Sequence, residues 1–200
     1  MLTRENFYPE KYYHIYNHAV GSDNLFKSDE NYLFFLNRYD KYLSQVFKTY
    51  AYCLMPNHFH MLIQIRDEET IRNLFSSGKV EDLHKFIMQR LSNFLNSYSK
   101  ASNKQQSRKG RLSIDFTKRK EITNEFYFTR VVNYIHQNPV HHGFCKEAKD
   151  WDYSSYNSII SVNKNSKLER NAIFDWFGGI EQFVTFHQEN SFSDGDIDSF

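Results

Sequence analysis

Apolar positions along the chain repeat with two periods, and the alternation between them marks out the elements. Tyr12 to Val20 is rich in aromatic and β-branched residues and stops at Gly21-Ser22-Asp23, which predicts a strand closed by a turn. Ser28 then offers an N-cap with Asp29 and Glu30 in the first turn, and Leu33, Leu36, Leu43 and Phe47 form an apolar stripe at helical spacing. Thr49 to Met55 and His58 to Ile65 are strand-like runs on either side of Pro56-Asn57, the mark of a hairpin. In the second run Phe59, Met61, Ile63 and Ile65 share one face, while His58, His60, Leu62 and Gln64 share the other. The first set is expected beneath covering helices. Leu83, Phe86, Ile87, Leu91, Phe94, Leu95 and Tyr98 recur at three and four residue steps, the clearest helix of the chain. Leu112, Ile114 and Phe116 alternate as a further strand. Thr123 stands where it would cap a last helix, anchored by Phe128, Val131, Val132 and Ile135 and stopped by Pro139.

The resulting order, β-α-β-β-α-β-α, predicts an α/β (α+β) protein: a ferredoxin-like β-α-β-β-α-β antiparallel sheet with two helices on one face and an added C-terminal helix. The domain is expected over residues 1–160. Residues 161–200 form a short appendage, helical around Asn171 to Phe177 and Glu181 to Gln188, whose acidic end has the composition of a disordered tail. No internal repeat is present.

A chain of 200 residues can bury a core without staples, and Cys53 and Cys145 form no disulfide framework. Charges at Arg4, Glu5, Glu10 and Lys11 and the lack of an apolar leading stretch argue against a secretory signal, so a cytoplasmic location is expected. Apolar runs such as Leu33 to Leu36 fall far short of the roughly 20 residues that span a bilayer, so no membrane partner is expected. Aromatic residues are abundant, with 19 Phe, 14 Tyr and 2 Trp. Most must be core, and a minority could stack on bases.

The formal charge of +1 is an average of unlike parts. From Glu181 onward there are five acids and no Lys or Arg, so the preceding 180 residues carry 25 cations against 19 acids, a net +6. Eight of those cations lie between Lys100 and Lys120 against Asp115 alone: Lys100, Lys104, Arg108, Lys109, Arg111, Lys118, Arg119 and Lys120. A charge run is usually a solvated face. Beside an active site, it is also a track for phosphates.

His58 and His60 stand two residues apart on a predicted strand, about 7 Å apart at the backbone, close enough to reach one metal ion or simply to be polar sheet residues. On the last helix Arg130, Tyr134 and Asn138 recur every four residues, with Asn133 and Gln137 beside them, opposite Phe128, Val131 and Ile135. That stripe is either a solvated face or a nucleophile with a ligand one turn away. A Tyr hydroxyl, with a pKa of about 10, attacks poorly at neutral pH without a metal or base. Two imidazoles and an amide oxygen would leave a divalent ion, Mg²⁺ or Mn²⁺, with open positions for a phosphate oxygen.

Four segments together resemble the single-tyrosine HUH transposases (IS200-like), and most of all the REP-associated tyrosine transposases: Tyr13-His14-Ile15-Tyr16-Asn17, Leu54 to Ile63 with its Pro56-Asn57-His58-Phe59-His60 centre, Asn133 to Val140, and Trp151-Asp152-Tyr153-Ser154-Ser155-Tyr156. The resemblance spans about Tyr12 to Ile160. It implies that His58, His60 and Asn138 bind the divalent ion, and that Tyr134 attacks a phosphodiester of single-stranded DNA. A 5′-phosphotyrosine and a free 3′-hydroxyl would result. The expected partner is a DNA hairpin or palindromic repeat in the nucleoid, met by a single chain or a homodimer. DNA contacts are expected from Arg130, Lys109, Arg111, Lys118, Arg119 and Lys120. Members of that family often carry Arg-Gly after the first-strand Asn, where this chain has His18-Ala19. His14 and His18 read as sheet residues, His136 as lying on the wrong side of the helix, and His141 and His142 as a surface turn. Cys53 reads as an inert core thiol, and Trp151, Tyr153 and Tyr156 as pins for the segment after the last helix. Two rival readings remain: a non-catalytic single-stranded nucleic-acid-binding module on the same sheet, and a metal-assisted hydrolase in which water attacks.

Overall fold

Strand β1 (Tyr12–His18) and helix α1 (Asp29–Leu43) open the fold, followed by the hairpin of β2 (Phe47–Met55) and β3 (His58–Ile65). After α2 (Glu68–Leu74), α3 (Leu83–Gln105), β4 (Lys118–Ile122) and α4 (Glu125–His141) come α5 (Tyr156–Ile160), α6 (Arg170–Phe177) and α7 (Ile180–Glu189). These elements belong to a computed structural model that describes residues 5–75, 80–113 and 117–192. Ile114 to Phe116 and the acidic end from Ser193 lie outside the described residues.

The sheet runs β2-β3-β1-β4 with every neighbouring pair antiparallel, the strand order of the ferredoxin-like arrangement. Strict alternation divides its side chains between two cores. Tyr13, Ile15, Phe59, Met61 and Ile63 pack beneath α1 and α3 with Phe35, Leu91 and Phe94. Phe35 alone meets the rings of Phe26, Phe59, Phe94 and Tyr98, three of them edge-on, each worth about 0.5–1.5 kcal/mol beyond simple burial. On the other face Ala51, Cys53 and Leu62 pack against Phe128, Val131, Val132 and Ile135 of α4. Cys53 is buried there, as expected.

The segment expected as an appendage supplies α6 and α7 close to their predicted positions, and it completes this second core with Ile173 and Phe183. The chain between α4 and α6 also covers the outer edge of β2. Leu54 N donates to Tyr153 O at 2.9 Å, Ser155 N to Tyr52 O at 2.9 Å and Glu169 N to Thr49 O at 3.0 Å. Trp151 Nε1 donates to Leu54 O at 2.9 Å and Tyr153 stacks on Tyr32 at 3.7 Å, so the aromatic pins hold as expected.

Several local expectations need correction. The fourth strand is Lys118–Ile122, after the Leu112–Phe116 stretch expected to form it; Leu112 is buried, and Ser113 makes only an isolated bridge to Ala19. Phe47 belongs to β2, because α1 ends at Leu43. Ser28 sits at the N-cap of α1 with extended backbone but makes no side-chain cap bond. Helix α2 was not anticipated; Asp67 starts it by accepting from Thr70 N at 2.7 Å. Asn124, and not Thr123, caps α4 by accepting from Tyr127 N at 2.8 Å.

Pro139 does not stop α4, which runs on to His141. In the last turn its missing N–H costs one backbone bond, and only two helical residues follow it. Gly143 is the true stop. At φ +72° it closes a Schellman turn in which Phe144 N donates to Pro139 O at 2.8 Å and Gly143 N to Val140 O at 3.0 Å.

Candidate active site

The register of β1 against its neighbours sets Tyr16 beside His60 and Lys118, His18 beside His58, and His14 beside Lys120. All seven side chains share the face that α4 covers. From α4 come Tyr134, Asn138 and the cap residue His142, at successive four-residue steps. Together the ten line a cavity of about 190 Å³. Tyr134 is 4% exposed.

Contacts within the cavity fix the imidazoles. His58 Nδ1 lies 2.6 Å from Asn57 Oδ1; an amide oxygen only accepts, so His58 carries a proton on Nδ1. His14 Nε2 and His60 Nδ1 share one hydrogen bond of 2.9 Å, and Tyr16 stacks on His60 at 5.4 Å. Burial, reinforced by His14, His58, His18 and His142, holds His60 well below the usual histidine range, so it is a neutral imidazole at pH 7. Tyr134 meets His60 edge-on at 5.5 Å and His14 at 5.9 Å. Asn138 Nδ2 donates to Tyr134 O at 3.4 Å, which ties its donor end to the helix.

Among the described residues no group of three or more His, Cys, Asp or Glu side chains is arranged to hold a metal. The donor set in question has only two such members, His58 and His60, with an amide oxygen as the third. Two imidazoles, each held by a partner on one ring nitrogen, together with an amide oxygen, fit a divalent ion that keeps open positions.

No protein-family model matches the chain. A Haemophilus influenzae protein that bears the name of a REP-associated tyrosine transposase is 26% identical over 116 residues, 58% of this chain and 62% of its own length. A solved structure of the REP-associated tyrosine transposase bound to a REP hairpin shares the fold with a TM-score of 0.62 at 16% identity, over 82% of this chain and 87% of that one. The chain resembles the REP-associated tyrosine transposases in both sequence and fold.

Three of the four segments that carry the resemblance to these transposases meet at the cavity: β1, the β2–β3 hairpin and α4. The fourth, Trp151 to Tyr156, covers the β2 edge instead. His58, His60, Tyr134 and Asn138 are brought together. Of the cations expected at DNA, Lys118 and Lys120 line the cavity. Arg119 between them points to the opposite face, where it is buried, donates to Glu5 O and covers the Phe7 ring. The Arg130 guanidinium packs over Phe126 at 4.1 Å and Phe192 at 4.9 Å, outside the cavity lining. Lys109 and Arg111 lie in the turn after α3, Arg111 beside a separate cleft of about 470 Å³.

His14, Tyr16, His18 and His142 belong to the site and were not anticipated. His18 stacks on His58 at 4.6 Å, and His142 meets the same ring at 5.0 Å. The signal was present: His14, Tyr16 and His18 share a strand face, and His142 continues the Tyr134 and Asn138 stripe by one turn. His136 does lie away from the cavity, as expected.

Proposed function

We propose that the protein is a divalent-metal-dependent single-stranded DNA endonuclease and strand transferase, a transposase acting at DNA hairpins through a 5′-phosphotyrosine on Tyr134. The observation that carries this reading is the convergence of Tyr134, His58, His60 and Asn138 on one cavity whose β4 side presents Lys118 and Lys120. The Haemophilus influenzae relative's name and the hairpin bound to the structural neighbour support it.

The Tyr134 hydroxyl oxygen attacks phosphorus in line with the 3′-oxygen, the new O–P bond forming as the P–O3′ bond breaks. The phenolic proton is lost and the departing 3′-oxygen gains one. His58 and His60, through imidazole nitrogens, and Asn138, through Oδ1, would hold Mg²⁺ or Mn²⁺. When bound, that ion supplies a Lewis acid to a non-bridging phosphate oxygen. Lys118 and Lys120 add positive charge beside the phosphate, and the cavity walls restrict water. The reverse reaction on another 3′-hydroxyl rejoins the strand, and because both steps are transesterifications no nucleotide cofactor is needed. Such chemistry belongs to a cytoplasmic protein working on nucleoid DNA.

The test is a 5′-labelled or 3′-labelled single-stranded hairpin incubated with the protein and Mn²⁺, then run on a denaturing gel. A denaturant-resistant adduct that disappears in Tyr134→Phe is expected. Cleavage that survives Tyr134→Phe would assign the attack to water. Binding without cleavage across a panel of hairpins would make the protein a binding module.

A further inference from the structure

On the side of α4 turned away from the cavity, His136 joins a buried chain of hydrogen bonds that the chemistry above does not use. His136 Nδ1 is 2.9 Å from His187 Nε2, and His136 Nε2 is 2.7 Å from Ser155 Oγ. His187 Nδ1 is 2.8 Å from Phe183 O, and Tyr52 N donates to Ser155 Oγ at 2.8 Å. Both histidines are at most 3% exposed.

With both imidazoles neutral, the direction of every proton follows from the Phe183 end. Phe183 O can only accept, so His187 carries its proton on Nδ1 and accepts at Nε2. His136 must then donate from Nδ1, which leaves its Nε2 as acceptor; the Ser155 hydroxyl donates to it at 2.7 Å in preference to Tyr52 O at 3.2 Å, while Ser155 Oγ accepts from Tyr52 N–H. One continuous line therefore runs from the β2 backbone through Ser155 and α4 to α7, with both imidazoles neutral. Burial lowers both histidines, His187 to about 4, which agrees with that assignment. Gln137 Nε2 donates to His187 O at 2.7 Å and fastens the same two helices.

We propose that His136 and His187 are positioning residues for Tyr134: their one-directional hydrogen-bond chain ties α4 to the sheet edge and to α7, and sets the depth and rotation at which Tyr134 faces His60. His136 follows Tyr134 by two residues, so the bonds grip the helix on the side opposite the nucleophile. A slide or roll of α4 that frees the chain moves the Tyr134 oxygen relative to the phosphate. Small misplacements of a reacting atom are costly, with a shift of about 1 Å worth up to ~10²-fold in rate. The C-terminal helices are thus part of the catalytic unit.

This inference rests on the transposase reading, and its test separates the two. His187→Phe keeps the bulk but removes the acceptor; His187→Gln can restore an acceptor. With Mn²⁺ and saturating hairpin, His187→Phe is expected to form the adduct at least about tenfold more slowly, with hairpin affinity within about twofold of wild type. His187→Gln should stay within about threefold. A wild-type rate in His187→Phe, or equal losses in the two variants, would overturn the proposal. Should His187→Phe fail to fold, Ser155→Ala, which breaks the same line by one hydroxyl, is expected to show the same split between rate and affinity. Nitrogen-15 NMR provides the arm independent of activity. Both His136 and His187 should be Nδ1–H tautomers at pH 7, and breaking the chain should shift the Tyr134 ring signals. An Nε2–H tautomer at His136, or an unmoved Tyr134 ring, contradicts the proposal even if wild type cleaves no hairpin and the transposase reading itself has failed.

Discussion

Tyr134 is an ordinary phenol placed in unusual company, and the account stands on what surrounds it. Its neighbours on the sheet are imidazoles, one of them, His60, kept neutral by burial among four other histidines. Replacing His58 and His60 together by Ala should therefore remove cleavage by at least about 10²-fold, as expected when an electrostatic catalyst is lost, while hairpin binding falls by less than about tenfold. Chelation of divalent ions should reproduce that loss in wild type and change nothing further in the double variant. Cleavage by the double variant at more than a tenth of the wild-type rate, measured by single-turnover gels, would remove these histidines from the metal site. The four residues named from the sequence were legible because each pair repeats with the period of its element: two for His58 and His60, four for Tyr134 and Asn138. His142 was hidden by Pro139, which reads as a stop. Alternation puts His14 and His18 on one strand face, but which residues that face meets depends on pairing with β3, a long-range fact that strand alternation alone does not contain.

At the scale of elements, α4 carries Tyr134 and Asn138, and its ends are set by small residues. Asn124 starts it and Gly143 ends it, at φ +72° with open space where a Cβ would stand. Gly143→Ala should thus cost only the left-handed backbone penalty, about 1–2 kcal/mol, seen as a lower midpoint in urea with an unchanged slope. A loss under about 0.3 kcal/mol would show that the Schellman turn does not hold the helix end. The order of strands and of the long helices was legible from period alone, because Leu83 to Tyr98 and His58 to Ile65 each keep one period throughout. The fourth strand was misplaced for a physical reason. Lys118 to Ile122 reads as a polar run, yet Arg119 is buried under the Phe7 ring and Lys118 and Lys120 face the cavity, so its two faces are set by neighbours and not by hydropathy.

At the scale of the whole molecule, a sheet with helices on both faces divides the labour. Helices α1 and α3 make one apolar layer; α4, α6 and α7 make the other, and the cavity opens at one end of that second interface. The near-zero net charge conceals this division, because the cations that matter are the two that β4 presents to the cavity. Lys118→Ala and Lys120→Ala should each reduce the slope of log affinity against log salt for a single strand by about 0.7, the value for one released counterion. An unchanged slope in both variants would mean that neither side chain touches phosphate. The central claim is that Tyr134 becomes covalently joined to DNA. Digestion of the protein–hairpin adduct formed in Mn²⁺, followed by mass spectrometry of the nucleotide-bearing peptide, tests it most directly. The account predicts a phosphodiester on Tyr134 linked to the 5′ end of the cleaved strand; an adduct on another residue, or a link through the 3′ end, would contradict it.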